Sequence, residues 1–189
     1  MNDLRCTELR PEHLDDYLKF FDTRAFTDNP RWASCYCYFP LHDPDTMDWK
    51  ARTGTENKAA VSGCIASGQA RGVLAYQGTE VVGWCNAGPW SMYPMLAEDA
   101  EPDAATLGVI FCFVVAPEAR GQGVAAALLD AACDNLRRQG MRHAMARPAK
   151  QADSAAANHL GPLSLYLKAG FEVVRETDDG EVYVRKALG

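Results

Sequence analysis

The sequence predicts an α/β fold of the α+β type: a mixed, mostly antiparallel sheet with one parallel strand pair and helices on both faces. Three observations carry this. The first is a continuous apolar run over residues 110–115, the length of a strand covered on both faces. Pro117 ends it, because proline cannot donate to a sheet ladder. Val124, Ala127, Leu128, Ala131, Ala132 and Leu136 then recur at three- and four-residue steps, Gly140 follows as a stop, and residues 141–147 read as another strand. Strand, crossover helix and strand in succession make two parallel strands. The second observation is a hairpin, residues 72–77 and 80–88 flanking Gly78 and Thr79. The third is a closing pair, a strand from Phe171 onward and one over 181–185, joined across Asp178, Asp179 and Gly180.

The remaining elements follow in order. Residues 4–9 read as a short first strand. Pro11 and Glu12 open a helix whose apolar positions are Leu14, Tyr17, Leu18 and Phe21, with Asp15 and Asp16 toward its positive end. Residues 26–40 are dense in aromatics and broken by prolines, a structured loop suited to lining a pocket. Cys35, Cys37 and His42 lack the spacing and the fourth ligand of a zinc site, so no metal is expected. From Asp48 to Gln69 the pattern is helical, with Asn57, Ala60, Val61, Cys64 and Ile65 on one face and Gly68 at the end. Residues 148–158 read as a polar, alanine-rich loop with some helix; Pro162 suits the first turn of a helix and Gly170 its C-cap.

Composition limits the function. A chain of 189 residues, about half of them hydrophobic, is expected to fold as a single domain over 1–189. No stretch approaches the ~20 apolar residues of a membrane span and no secretory leader is evident, so a cytoplasmic protein without a membrane partner is expected. Seven cysteines are an odd number in apolar contexts, which suits reduced, buried thiols. The net charge of −6 argues against a nucleic-acid partner and favours a cationic small ligand. Nothing separates a monomer from a homodimer.

Between the strand at 110–115 and its helix sit Arg120, Gly121, Gln122, Gly123, Val124 and Ala125. Glycines here leave bare N–H groups at a helix N-terminus, where an anion such as pyrophosphate is favoured. A glycine pair alone makes a turn as often as a site. A triphosphate loop needs Lys and Ser or Thr where Val124 and Ala125 stand, and a dinucleotide loop lacks its acidic ribose partner. Behind Val115, Ala116 and Pro117, these six residues resemble the acetyl-CoA loop of the GNAT superfamily of N-acetyltransferases. That pattern is Arg or Gln, two residues, Gly, one residue, then Gly or Ala, after a strand ending in Val, any residue, Pro. Tyr166, four residues before Gly170 and Phe171, matches the family's C-terminal signature. The resemblance covers 72–186 closely and the first 70 residues in element order.

The resemblance implies a splayed parallel strand pair that admits the cofactor's pantetheine arm. It implies acetyl transfer from acetyl-CoA to a primary amine of a small molecule, by direct attack and without a metal. The cofactor would contact Phe113, Val114, Val115 and residues 120–125. The Val115 N–H would polarise the thioester carbonyl, and Tyr166 would protonate the leaving thiolate; packing against Leu163 and Leu167 is the alternative for Tyr166. Residues 107–147 would form the donor core and 26–70 the variable acceptor side, with Trp32, Tyr36, Tyr38, Trp84 and Trp90 lining the acceptor pocket. The acids Glu98, Asp99, Glu101 and Asp103 either border that pocket or form a solvated face. No acid stands on 108–115, where some members carry a base, which leaves a water relay, Glu98, Asp99, Glu101, His159 or an amine already neutral. Two further readings stay open: an acyl-CoA sensor without turnover, and a protein or peptide acceptor.

Overall fold

The computed structural model describes residues 3–97, 101–149 and 157–189. In chain order these form β1 (Leu4–Glu8), α1 (Leu14–Thr23), α2 (Gly54–Ala66), β2 (Gly72–Gln77), β3 (Glu80–Pro89), β4 (Leu107–Val115), α3 (Val124–Arg138), β5 (His143–Ala146), α4 (Leu163–Lys168), β6 (Glu172–Glu176) and β7 (Val182–Ala187). The strands make one seven-stranded sheet in the order β1-β2-β3-β4-β5-β7-β6. All pairs are antiparallel except β4 with β5, as strand, crossover helix and strand require. No helix among the described residues is long and apolar enough to cross a membrane.

Boundaries differ from the sequence reading where local chemistry intervenes. The helix read from Asp48 splits into a 3-10 turn at Trp49–Ala51 and α2. Thr53 sets the new start: its side chain accepts the Glu56 N–H at 3.3 Å, while the Glu56 carboxylate accepts the Thr53 N–H at 2.7 Å. Pro162 caps α4 from outside instead of sitting in its first turn. Phe171 precedes β6 and is buried.

Neighbouring positions on β3 show which helix covers which face. A side chain at Gly83 would lie 2.9 Å from Val124 and 3.0 Å from Leu128, so α3 is seated against bare backbone there. Trp84 points the opposite way and meets Tyr17 of α1 edge-on, ring centroids 5.1 Å apart. Thus α1 and α3 lie on opposite faces. Phe113 is paired with Cys85, which places it on the α3 face, where its ring meets Tyr166 of α4 at 6.3 Å. The α3 stripe of Val124, Leu128, Leu129, Ala132 and Leu136 is buried.

Residues 26–41 run over the α1 face as 3-10 turns, Pro30–Cys35 and Phe39–Leu41. Between them Tyr36 (φ 46) and Cys37 (φ 49) are successive non-glycine residues in the left-handed region. Long-range contacts hold this strained pair: the Tyr17 hydroxyl donates to the Tyr36 carbonyl at 2.7 Å, and the Asn86 amide faces the Cys37 sulfur at 3.8 Å.

Candidate active site

The centre of the sheet comes apart along β4. Its pairing with β5 covers Leu107 to Ile110 and stops, whereas pairing with β3 continues to Val115. Beyond Ile110 one edge of β4 therefore has no strand beside it. The Ala116 N–H donates to Val82 of β3, so by alternation the backbone groups of Val115 and Phe113 point away from β3 into this gap. A bulge sits at the parting: Asn86 is opposite Cys112 and Ala87 opposite Ile110, leaving Phe111 without a partner. The extra residue turns Phe111 and Cys112 toward the same cavity.

Two cavities open on the gap. The first, about 420 Å³, is lined by Phe113, Val114 and Val115, by Arg120, Gly121, Gly123, Val124 and Ala125, and across from them by Asn158, His159 and Gly161. Gly121 (φ 73) and Gly123 (φ 81) are left-handed, and Gly123 is the N-cap of α3 without a side-chain cap. The first intrahelical donor is Ala127 N–H to Gly123 O, so the N–H groups of Val124, Ala125 and Ala126 lack partners within the helix. Open space stands where side chains at either glycine would go. The Asn158 amide oxygen is also buried without a partner on this wall. Bare donors, a helix N-terminus and an orphan acceptor fit a long ligand carrying a pyrophosphate and amides.

Arg120 organises this wall. Its Nε donates to the Val115 carbonyl at 3.1 Å and its guanidinium holds Asp28, whose carboxyl is lowered chiefly by that hydrogen bond. Gln122 alone among residues 120–125 is absent from the lining; its amide donates to the Glu118 carbonyl at 2.8 Å.

The second cavity, about 470 Å³, lies on the α1 face and is lined by Trp32, Phe39, Trp49, Met95, Phe111 and Cys112, with Arg31, Arg147, Cys35 and Cys37. Of the five aromatics expected here from the sequence, Trp32 is on the wall, its ring 5.0 Å from His159. Tyr36 packs on Phe21 and donates to Asp22. Tyr38 lies under the Arg52 guanidinium, and Trp84 is only 1% exposed in the core beneath α1. Trp90 lines a neighbouring cavity of about 160 Å³. Trp49, Phe111, Arg31, Arg147 and Asn158 are wall residues that the sequence reading did not single out. A loop's return path and a bulge leave no periodic signal.

Tyr166 stands behind the first cavity, fully buried between Phe113 and Phe171, its hydroxyl donating to the Leu160 carbonyl at 2.8 Å. Burial pushes its pKa well up, so it keeps its proton. The cysteines are all free. The Cys112 thiol faces the Phe113 carbonyl at 3.9 Å; its neighbour Cys37 holds the Cys112 thiol well above its ordinary pKa, and the same contact lowers that of Cys37. Of the expected acids, Asp103 pairs with Arg185 and His143, Glu101 lines none of these cavities, and Glu98 and Asp99 lie outside the described residues. The two larger cavities share Phe26, Val114 and His159, and His159 is the one ionisable side chain among the described residues on both walls.

Comparison with known proteins agrees with this architecture. The chain is similar over its whole length to an N-acetyltransferase from Staphylococcus aureus Mu50 (15% identity, 99% of each chain covered, TM-score 0.60). It is similar to the PaiA N-acetyltransferase from Thermoplasma acidophilum in complex with coenzyme A (16% identity, 98% of this chain and 99% of that one, TM-score 0.58). It is also similar to a phosphinothricin acetyltransferase from Sinorhizobium meliloti in complex with AcCoA (17% identity, 100% of this chain and 90% of that one, TM-score 0.60). At these identities the likeness is one of fold. No curated protein matches the sequence. A family model described as acetyltransferase (GNAT) family matches residues 9–171, most of the chain, and the protein therefore belongs to that family.

Proposed function

We propose that the protein transfers the acetyl group of acetyl-CoA to a primary amine of a small molecule, by direct attack in a ternary complex. The observation that carries this reading is the pair of cavities meeting at Phe26, Val114 and His159, one on each side of the parted strand. Donor and acceptor would meet at these shared residues, the arrangement that proximity catalysis requires. The two neighbours solved with coenzyme A or AcCoA support a CoA ligand.

Acetyl-CoA supplies an acyl group activated as a thioester. The residues expected to hold it are Gly121, Gly123, Val124 and Ala125, through backbone donors toward the pyrophosphate, and Phe113, Val115 and Asn158, toward amides along the gap. Val115 offers its N–H to the carbonyl oxygen where charge develops. His159 is our candidate for accepting the amine proton, because it reaches the junction from both cavities. Tyr166 serves as proton donor only if its hydroxyl leaves the Leu160 carbonyl. Trp32 remains an acceptor-side contact. Residues 26–70 with 107–147 act as one unit within 1–189, and unpaired cysteines throughout suit the reducing cytoplasm.

The test is thiol release from acetyl-CoA across a panel of amines, amino acids and peptides. Amine-dependent release is expected, together with loss of acetyl-CoA binding in Gly123→Trp. Tight CoA binding with no turnover on any amine would identify a sensor instead.

A further inference from the structure

The acceptor-side cavity carries charge opposite to that of the molecule. The chain has 25 acidic and 19 basic residues, yet among the described residues this wall includes Arg31 and Arg147 and no Asp or Glu. Arg147 already holds Glu181. Arg31 is exposed in the turn Pro30–Cys35, and no hydrogen bond or ion pair joins it to any described residue. The remainder is apolar and aromatic, with Trp32, Phe39, Trp49 and Phe111 prominent. The acidic surface suggested a cationic ligand; the cavity itself points the other way.

On the acetyltransferase reading above, we infer that the acceptor is a small amine that also bears a carboxylate and an apolar or aromatic body. Its carboxylate sits on the Arg31 guanidinium, its body against the aromatic wall, and its amine faces the junction at His159. A guanidinium offers a planar fork of donors matched to a carboxylate, and it stays charged throughout the working pH range. The volume, about 470 Å³, falls in the range of small-ligand sites. A polyamine would meet the Arg31 guanidinium and no carboxylate among the described residues of the wall, which selects against it.

Thiol release is measured with L-phenylalanine, L-tryptophan and L-methionine against their decarboxylated amines, their amides and spermidine. The free acids are expected to show kcat/KM roughly 10- to 100-fold above the matched amines and amides, the worth of one charge-assisted contact. Arg31→Ala should erase that preference mainly through KM, and Arg31→Glu should invert it toward the amines. Arg31 is exposed and bonded to none of the described residues, which makes both variants safe for folding. If decarboxylated amines or spermidine match or exceed the acids, this inference fails while the acetyltransferase reading stands. A preference for acids undiminished in Arg31→Ala would remove Arg31 from the site. Silence with every amine, despite acetyl-CoA binding, overturns both readings.

Discussion

Tyr166 shows how one side chain presents two roles that a measurement can separate. Its hydroxyl is committed to the Leu160 carbonyl and its ring closes the back of the first cavity. As a strut alone, Tyr166→Phe should lower stability by about 1 kcal/mol and leave kcat near wild type. As a proton donor it should lose about 100-fold or more in kcat, with acetyl-CoA affinity retained. Denaturant melts and steady-state kinetics on one preparation decide between them. The Asp28–Arg120 pair makes a second test at this scale. Arg120 lowers the Asp28 pKa in the folded protein, so the pair's stabilising contribution is fully present above the ordinary carboxylate value of about 3.9. It is lost as pH falls from there through the depressed folded value. A carboxyl NMR titration should place the Asp28 midpoint below about 3.9, and Arg120→Met should move it upward; an unchanged midpoint would dissociate the pair.

At the scale of elements, the turn-rich segment 26–41 forms much of the wall of the second cavity, the proposed acceptor side, and it is held by contacts from elsewhere. The Tyr17 hydroxyl reaches from α1 to the strained Tyr36 carbonyl. Tyr17→Phe should cost about 1 kcal/mol and loosen this segment, raising KM for the amine more than for acetyl-CoA. Equal effects on both would mean that the segment does not form the acceptor side. This element also marks where the sequence stopped being legible. The hairpin at Gly78, the crossover unit and the glycine loop each carry a periodic or positional signal, and the structure contains all three. The wall of the second cavity carries none, because Trp49, Phe111 and Arg147 come from a turn, a bulge and the chain beyond β5. Trp84 and Tyr38 were expected on that wall for being aromatic. Register, which decides whether a ring faces a cavity or the core, sends Trp84 beneath α1.

For the whole molecule, the parted sheet links ligand binding to stability. A ligand that binds only the folded state adds about 2.7 kcal/mol at a hundred times its dissociation constant. Acetyl-CoA at that level should raise the melting temperature by roughly 5 to 10 °C, with the largest gain in hydrogen-exchange protection along residues 111–116. A shift without added protection there would place the ligand outside the gap. The unpartnered backbone of β4 has another implication. An exposed strand edge is normally found at the rim of a sheet, where it risks templating another chain; here that edge lies in the interior of the sheet order. Pro117 removes the next backbone donor, and Arg120 occupies the Val115 carbonyl. These two residues leave a foreign strand fewer backbone partners at the middle of the sheet.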